Sequence, residues 1–221
     1  MACAICDTRR PRRFCAGVRG DICSLCCGNE REVTVDCPLD CEFLQESRKH
    51  QRAAGAEVPA GDIPNRDIQV TEKLVRQNEA LLSFLAATVV RTALNTPGVI
   101  DYDVREALES LIRTYRTLQS GVYYESVPAN PLAATIYSSV QQALAEYRQA
   151  EQRELGMTKT RDADVLGLLV FLQHFELDRN NGRRRGRAFL EALLNFYSPE
   201  PYPELGPGPW PEPPESSLIL P

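Results

Sequence analysis

CAICDTRRPRRFC (3–15), RGDICSLCCGNERE (19–32) and DCPLDCEFLQESRKH (36–50) hold all eight cysteines of a 221-residue chain, none of them beyond Cys41. The order is Cys3-x2-Cys6-x8-Cys15-x7-Cys23-x2-Cys26-Cys27-x9-Cys37-x3-Cys41. A C-x2-C pair turns both sulfurs to one side, about 2.3 Å from a shared ion, and leaves two positions for a distant pair. Eight thiols therefore suit two tetrahedral sites. The apolar residues between them are scattered (Ile5, Phe14, Val18, Ile22, Leu25, Val33, Val35), so the segment cannot collapse by burial alone. Metal binding, on the order of 10 kcal/mol or more, would supply its folding free energy.

Interleaving alternate pairs gives Cys3, Cys6, Cys23 and Cys26 to one ion and Cys15, Cys27, Cys37 and Cys41 to the other. A sequential division, Cys3, Cys6, Cys15 and Cys23 and then the rest, satisfies the spacing too. Zinc suits such separated pairs better than an iron-sulfur cluster, although four thiolates can hold either. MACAICDTRR offers no apolar stretch of a secretory leader, which argues against a disulfide framework and for a reducing cytoplasm. In CAICDTRRPRRFC and the knuckle ICSLCC the segment resembles cross-braced double-zinc modules of the B-box and HIT-finger kind. It departs from the B-box in closing with Cys37 and Cys41 rather than histidines. RGDICSLCCGNERE followed by DCPLDCEFLQESRKH is more similar to a group of uncharacterised bacterial proteins with an amino-terminal cysteine-rich module. The resemblance implies two structural Zn2+ ions and a binding role, not an activity.

The charge is almost balanced. The formal net charge is −5; residues 1–53 carry nine basic and eight acidic groups, residues 54–198 sixteen and eighteen, and residues 199–221 four acids with no base. Nucleic acid is therefore not announced by net charge, and no apolar run approaches the roughly 20 residues of a membrane span. Four regions are expected: a double-zinc module (1–52), a Gly/Pro-containing linker (53–66) that lets the module sit at variable angle, a five-helix antiparallel bundle (67–198) and an acidic, Pro-rich extended tail (199–221). In the bundle, apolar stripes at helical spacing predict helices over about 67–95, 103–120, 131–155, 160–179 and a short one ending near Tyr197. Pro97-Gly98, Gly121, Gly156 and Asn180-Asn181-Gly182 separate them. The fold class is thus mainly α.

Two arginine runs suggest contact with an anion. Arg9, Arg10, Arg12 and Arg13 flank Phe14, whose ring could stack on an unpaired base; Arg183, Arg184, Arg185 and Arg187 lie beside the last helix, where they oppose its dipole. The plainer reading is that the first run neutralises thiolate charge and that the second is solvated. His50 reads as part of a solvated helix end and His174 as a hydrogen-bonded boundary residue. No phosphate loop, dinucleotide fingerprint, nucleophile elbow or His-based protease motif is present. The expectation is a non-catalytic adaptor or regulatory protein with a protein partner. RNA or DNA binding through the two arginine runs is the alternative, and an enzyme with a site in the helices a minor one.

Overall fold

A computed structural model describes residues 2–50 and 63–197. The proline-rich tail, and the linker up to residue 62, lie outside the described residues.

The cysteine segment contains a short antiparallel hairpin, β1 (Arg13–Cys15) and β2 (Gly20–Ile22), followed by α1 (Ser24–Glu30) and α2 (Glu42–His50). Cys23 caps α1: its sulfur accepts from the Cys26 N–H, so the second knuckle is also the start of a helix. The hairpin turn sits hard against the strand-like stretch ahead of Cys37. A methyl group on Gly17 would come within 2.4 Å of the Asp36 carbonyl oxygen, so only glycine fits there. Two small apolar clusters form, one of Cys3, Ile22, Cys23 and Cys26, the other of Val35, Cys37 and Leu44. Each is a patch around sulfur, too small to stabilise a fold alone.

The rest is helical: α3 (Glu72–Gln77), α4 (Glu79–Asn95), α5 (Asp101–Gln119), α6 (Pro131–Leu155), α7 (Asp162–Arg179) and α8 (Ala188–Tyr197). The helix expected over 67–95 is two helices. Asn78 leaves helical geometry (φ −121°, ψ 27°) and turns its backbone and side-chain N–H groups back onto the Leu74 carbonyl, while the Leu74 side chain packs on Gly167 of α7. The second helix starts at Asp101 rather than Asp103. The Asp103 carboxylate accepts from the Ile100 N–H one turn back and from Asn130, the cap of α6. Asn130-Pro131 opens α6 and Gly156, in the left-handed region, closes it. α5 packs on both α6 and α7, and α4 on α6 and α8. α7, apolar almost all round, is buried along most of its length, as its composition requires.

The module does not swing free of the helices. Leu39 belongs to the helical core, and the loop 180–187 folds back over the module. The last residues of the expected linker are pinned as well: the Pro64 carbonyl accepts from His174 at 2.8 Å, and Asn65 bonds Gln173 and Arg116. Among the described residues no helix is long and apolar enough to cross a membrane.

Candidate metal centre

Cys3, Cys6, Cys23 and Cys26 bring their sulfur atoms within 4.8 Å of one another. The hairpin does this. The Ala4 N–H donates to the Asp21 carbonyl and the Cys3 N–H to the Arg9 carbonyl, which lays the first knuckle alongside β2. The Cys23 N–H then donates to the Cys3 sulfur at 3.2 Å, and the Cys26 N–H to the Cys23 sulfur at 3.4 Å. Backbone N–H groups aimed at sulfur favour the thiolate, the form that binds metal. Of the two divisions the spacing permits, the interleaved one describes this quartet; Cys15 is not in it.

The four thiols are not equivalent. Thr8, through its hydroxyl and backbone, pulls Cys6 down to about 5, and the Cys26 backbone N–H lowers Cys23. Burial pushes Cys26 up to about 12, its thiol neighbours adding to the effect. Four sulfurs so close cannot all ionise against one another. A divalent cation among them removes that opposition, so metal uptake here releases protons. Arg9 stands beside Cys23 and is held charged by it, an outer neutralising group. With four sulfur ligands a tetrahedral ion has no position left for water.

The other four cysteines, Cys15, Cys27, Cys37 and Cys41, line one cavity of about 20 Å³ together with Arg13, Arg31, Val35 and Phe43. Among the described residues their sulfurs do not draw within 4.8 Å of one another as the first quartet does. Arg13 and Arg31 point guanidinium groups at the Cys27 sulfur from 3.9 and 3.7 Å, and Arg13 also lies 3.9 Å over the Phe43 ring. All eight cysteines are free thiols.

Of the first arginine run, then, Arg9 and Arg13 serve the thiols, while Arg10, Arg12 and Phe14 are exposed. The second run requires correction. Arg187 is not a solvated charge at a helix start: it is buried, donates to the Val99 and Cys37 carbonyls and pairs with Asp36. Arg183 donates to the Arg31 carbonyl, and Arg184 and Arg185 are the exposed pair. The dipole conflict is resolved by Asp101, whose carboxylate accepts the Phe189 and Leu190 N–H groups at the amino end of α8. His50 bonds Glu46 on the exposed end of α2, and His174 bonds a backbone carbonyl.

The residue the spacing does not reveal is Glu32. It is 1% exposed, in the left-handed region (φ 53°), and its carboxylate accepts from Arg48, from Asn181 and from the Arg187 N–H. Its own carbonyl accepts from Arg185. Arg48 also pairs with Glu191 of α8. The stretch between Cys27 and Cys37 is thereby held on the loop 180–187 by the Glu32 carboxylate together with the Arg31 carbonyl and Asp36. Nothing in GNEREVTVD distinguishes Glu32 from a surface acid except its place between two pairs of cysteines.

No family model, curated protein or solved structure matches the chain.

Proposed function

We propose that this chain is a non-catalytic adaptor whose amino-terminal module is folded by two structural Zn2+ ions and held on an antiparallel helical bundle. The observation that carries the reading is the quartet Cys3, Cys6, Cys23 and Cys26, four sulfurs within 4.8 Å with backbone donors aimed at two of them. Four sulfurs from two separated knuckles suit zinc better than an iron-sulfur cluster, and a site closed by four sulfurs suits a structural ion rather than a catalytic one. Support for a second ion comes from Cys15, Cys27, Cys37 and Cys41 around one cavity of about 20 Å³, room for a single ion, with two guanidinium groups offsetting thiolate charge. Cysteines set out as metal ligands rather than as a disulfide framework suit a reducing compartment, in this reading the cytoplasm.

The partner in this reading is a protein. The connection between α5 and α6 leaves Val122, Tyr123, Tyr124 and Val127 all more than half exposed, an apolar strip that a solvated loop has no use for and that a partner would cover. Elemental analysis of the purified protein is the test of the metal: two zinc per chain are expected, and iron with visible charge-transfer absorption, or no bound metal, overturns it. Affinity capture from a nuclease-treated extract tests the partner. A Val122→Ser/Tyr124→Ser variant is expected to lose proteins that the parent retains, and an unchanged set rules the strip out.

A further inference from the structure

Side chains on a strand alternate between faces, and β1 follows this, with Phe14 at the rim of the second cysteine cavity and otherwise turned to solvent. Arg13 turns inward onto Phe43, Ser24 and Cys27, and Cys15 turns inward to the second cysteine cavity. Phe14 therefore faces out, and it is 64% exposed. The ladder continues to Arg12, whose N–H donates to the Ile22 carbonyl at 2.9 Å, so Arg12 shares the outer face with Phe14. Arg10 precedes it, and Arg19 stands in the turn joining the strands; all three arginines are exposed. Among the described residues none of the three has an ion-pair partner. The remaining arginines nearby are occupied: Arg9 and Arg13 by thiols, Arg31 by Cys27.

An exposed phenylalanine on a hairpin fixed by metal adds nothing to any core. Its ring is a flat apolar platform with Arg12 two residues back on the same face and one carboxylate, Asp21, directly across the ladder; three exposed arginines outnumber that acid, and a ligand that satisfies ring and charge together must be anionic and carry a flat aromatic face. An acidic peptide meets the charge but leaves the ring without a specific counterpart. A nucleic-acid duplex meets the charge but hides its base faces. A single strand meets both, phosphates on arginine and a base on the ring. We propose that the outer face of the β1–β2 hairpin, Phe14 with Arg10, Arg12 and Arg19, binds a short single-stranded nucleic acid. The net charge of −5 keeps the footprint to a few nucleotides, because the rest of the surface repels a longer polyanion. The site needs the module folded but depends neither on the ion being zinc nor on a protein partner.

The test is fluorescence anisotropy of a labelled twelve-nucleotide oligo(dT) and oligo(U) with the full-length, metal-loaded protein, against a hairpin duplex and a labelled twelve-residue polyglutamate. Metal content is measured on each sample, so that loss of the module is separated from loss of the site. Both single strands are expected to bind in preference to the duplex, with a log-log salt slope of roughly −2 for about three phosphates. Phe14→Ala is expected to lower the affinity roughly 5- to 150-fold with metal content unchanged. Arg12→Gln is expected to flatten the slope by roughly 0.7. No oligonucleotide binding at low salt by metal-loaded protein, an unaffected Phe14→Ala, or polyglutamate binding as tightly as oligo(dT) each overturns the proposal.

Discussion

The cysteine module and the helical body solve the same problem by opposite means. The body buries a continuous apolar interior in which Val104, Leu111, Leu168, Leu169 and Phe189 are essentially inaccessible. In the module the largest buried groups are Ile22 and Leu44, each beside cysteines, and in the proposed reading its shape rests on what the sulfurs bind. Burial is distributed and tolerates the loss of one side chain; coordination is concentrated and does not. Between the two stands a carboxylate, Glu32, through which the cysteine module leans on the apolar body.

The comparison is broken most completely by removing the metal. Strong chelation, or Cys26→Ser, is expected to abolish the structure of residues 2–50, a loss on the order of 10 kcal/mol of binding free energy, while α4 to α7 keep their helicity. Circular dichroism with limited proteolysis checks this, and a body that melts with the module would show that the two are not separable.

Glu32→Ala strikes the link instead. Arg48 then loses its buried carboxylate, and the N–H groups of Arg187 and Asn181 lose their acceptor. A cost of about 3–5 kcal/mol in thermal unfolding is expected, with the metal retained. Retained stability would mean that Leu39 and Arg187 suffice to dock the module.

Leu168→Ala isolates the body. A fully buried leucine shortened to alanine costs roughly 2–5 kcal/mol, here with no change in metal stoichiometry. A fall in metal content would show that the module depends on the body's packing and not on the Glu32 contact alone.

The smallest expected effect is a pH slope. Burial pushes Asp101 up to about 7, over the opposing pull of the Phe189 and Leu190 N–H groups, with Glu176 and Glu32 adding repulsion. A carboxyl raised in the folded state binds its proton more tightly there. Its contribution is therefore greatest below its ordinary value near 4 and is lost as pH rises toward 7. Taken relative to Asp101→Asn, the thermal midpoint of the metal-loaded parent should therefore decline over that window, on top of the rise with pH that proton release from the thiols gives both proteins. An identical slope in the variant would assign it to another group.

The two knuckles of the first quartet and most helix ends were legible because each rests on neighbours in the sequence, whereas the spacing left open which pairs share a site. Cys3, Cys6, Cys23 and Cys26 are two tight turns, and Asn130-Pro131, Gly156 and Asn180-Asn181-Gly182 act on their own backbone. The break at Asn78 was not legible: the apolar spacing runs on through it, and the contact that Leu74 makes on Gly167 lies far along the chain. The second arginine run was misread for the same reason. Arg187 looks solvated beside Arg184 and Arg185, and only its distant partners Asp36, Cys37 and Val99 bury it. Arg13 and Phe14 show the limit most plainly: adjacent in sequence, they fall on opposite faces of one strand, one on Phe43 and the other in solvent.

The acceptor role of Glu32 also sets an order on biosynthesis. Its counterparts Asn181 and Arg187 follow it by 149 and 155 positions. A nascent chain leaving the ribosome amino end first can capture an ion on Cys3, Cys6, Cys23 and Cys26 at once, yet that acid must wait, without its later partners, until nearly all the helices have been translated. Coordination can come early; seating of the module on its support is among the last events.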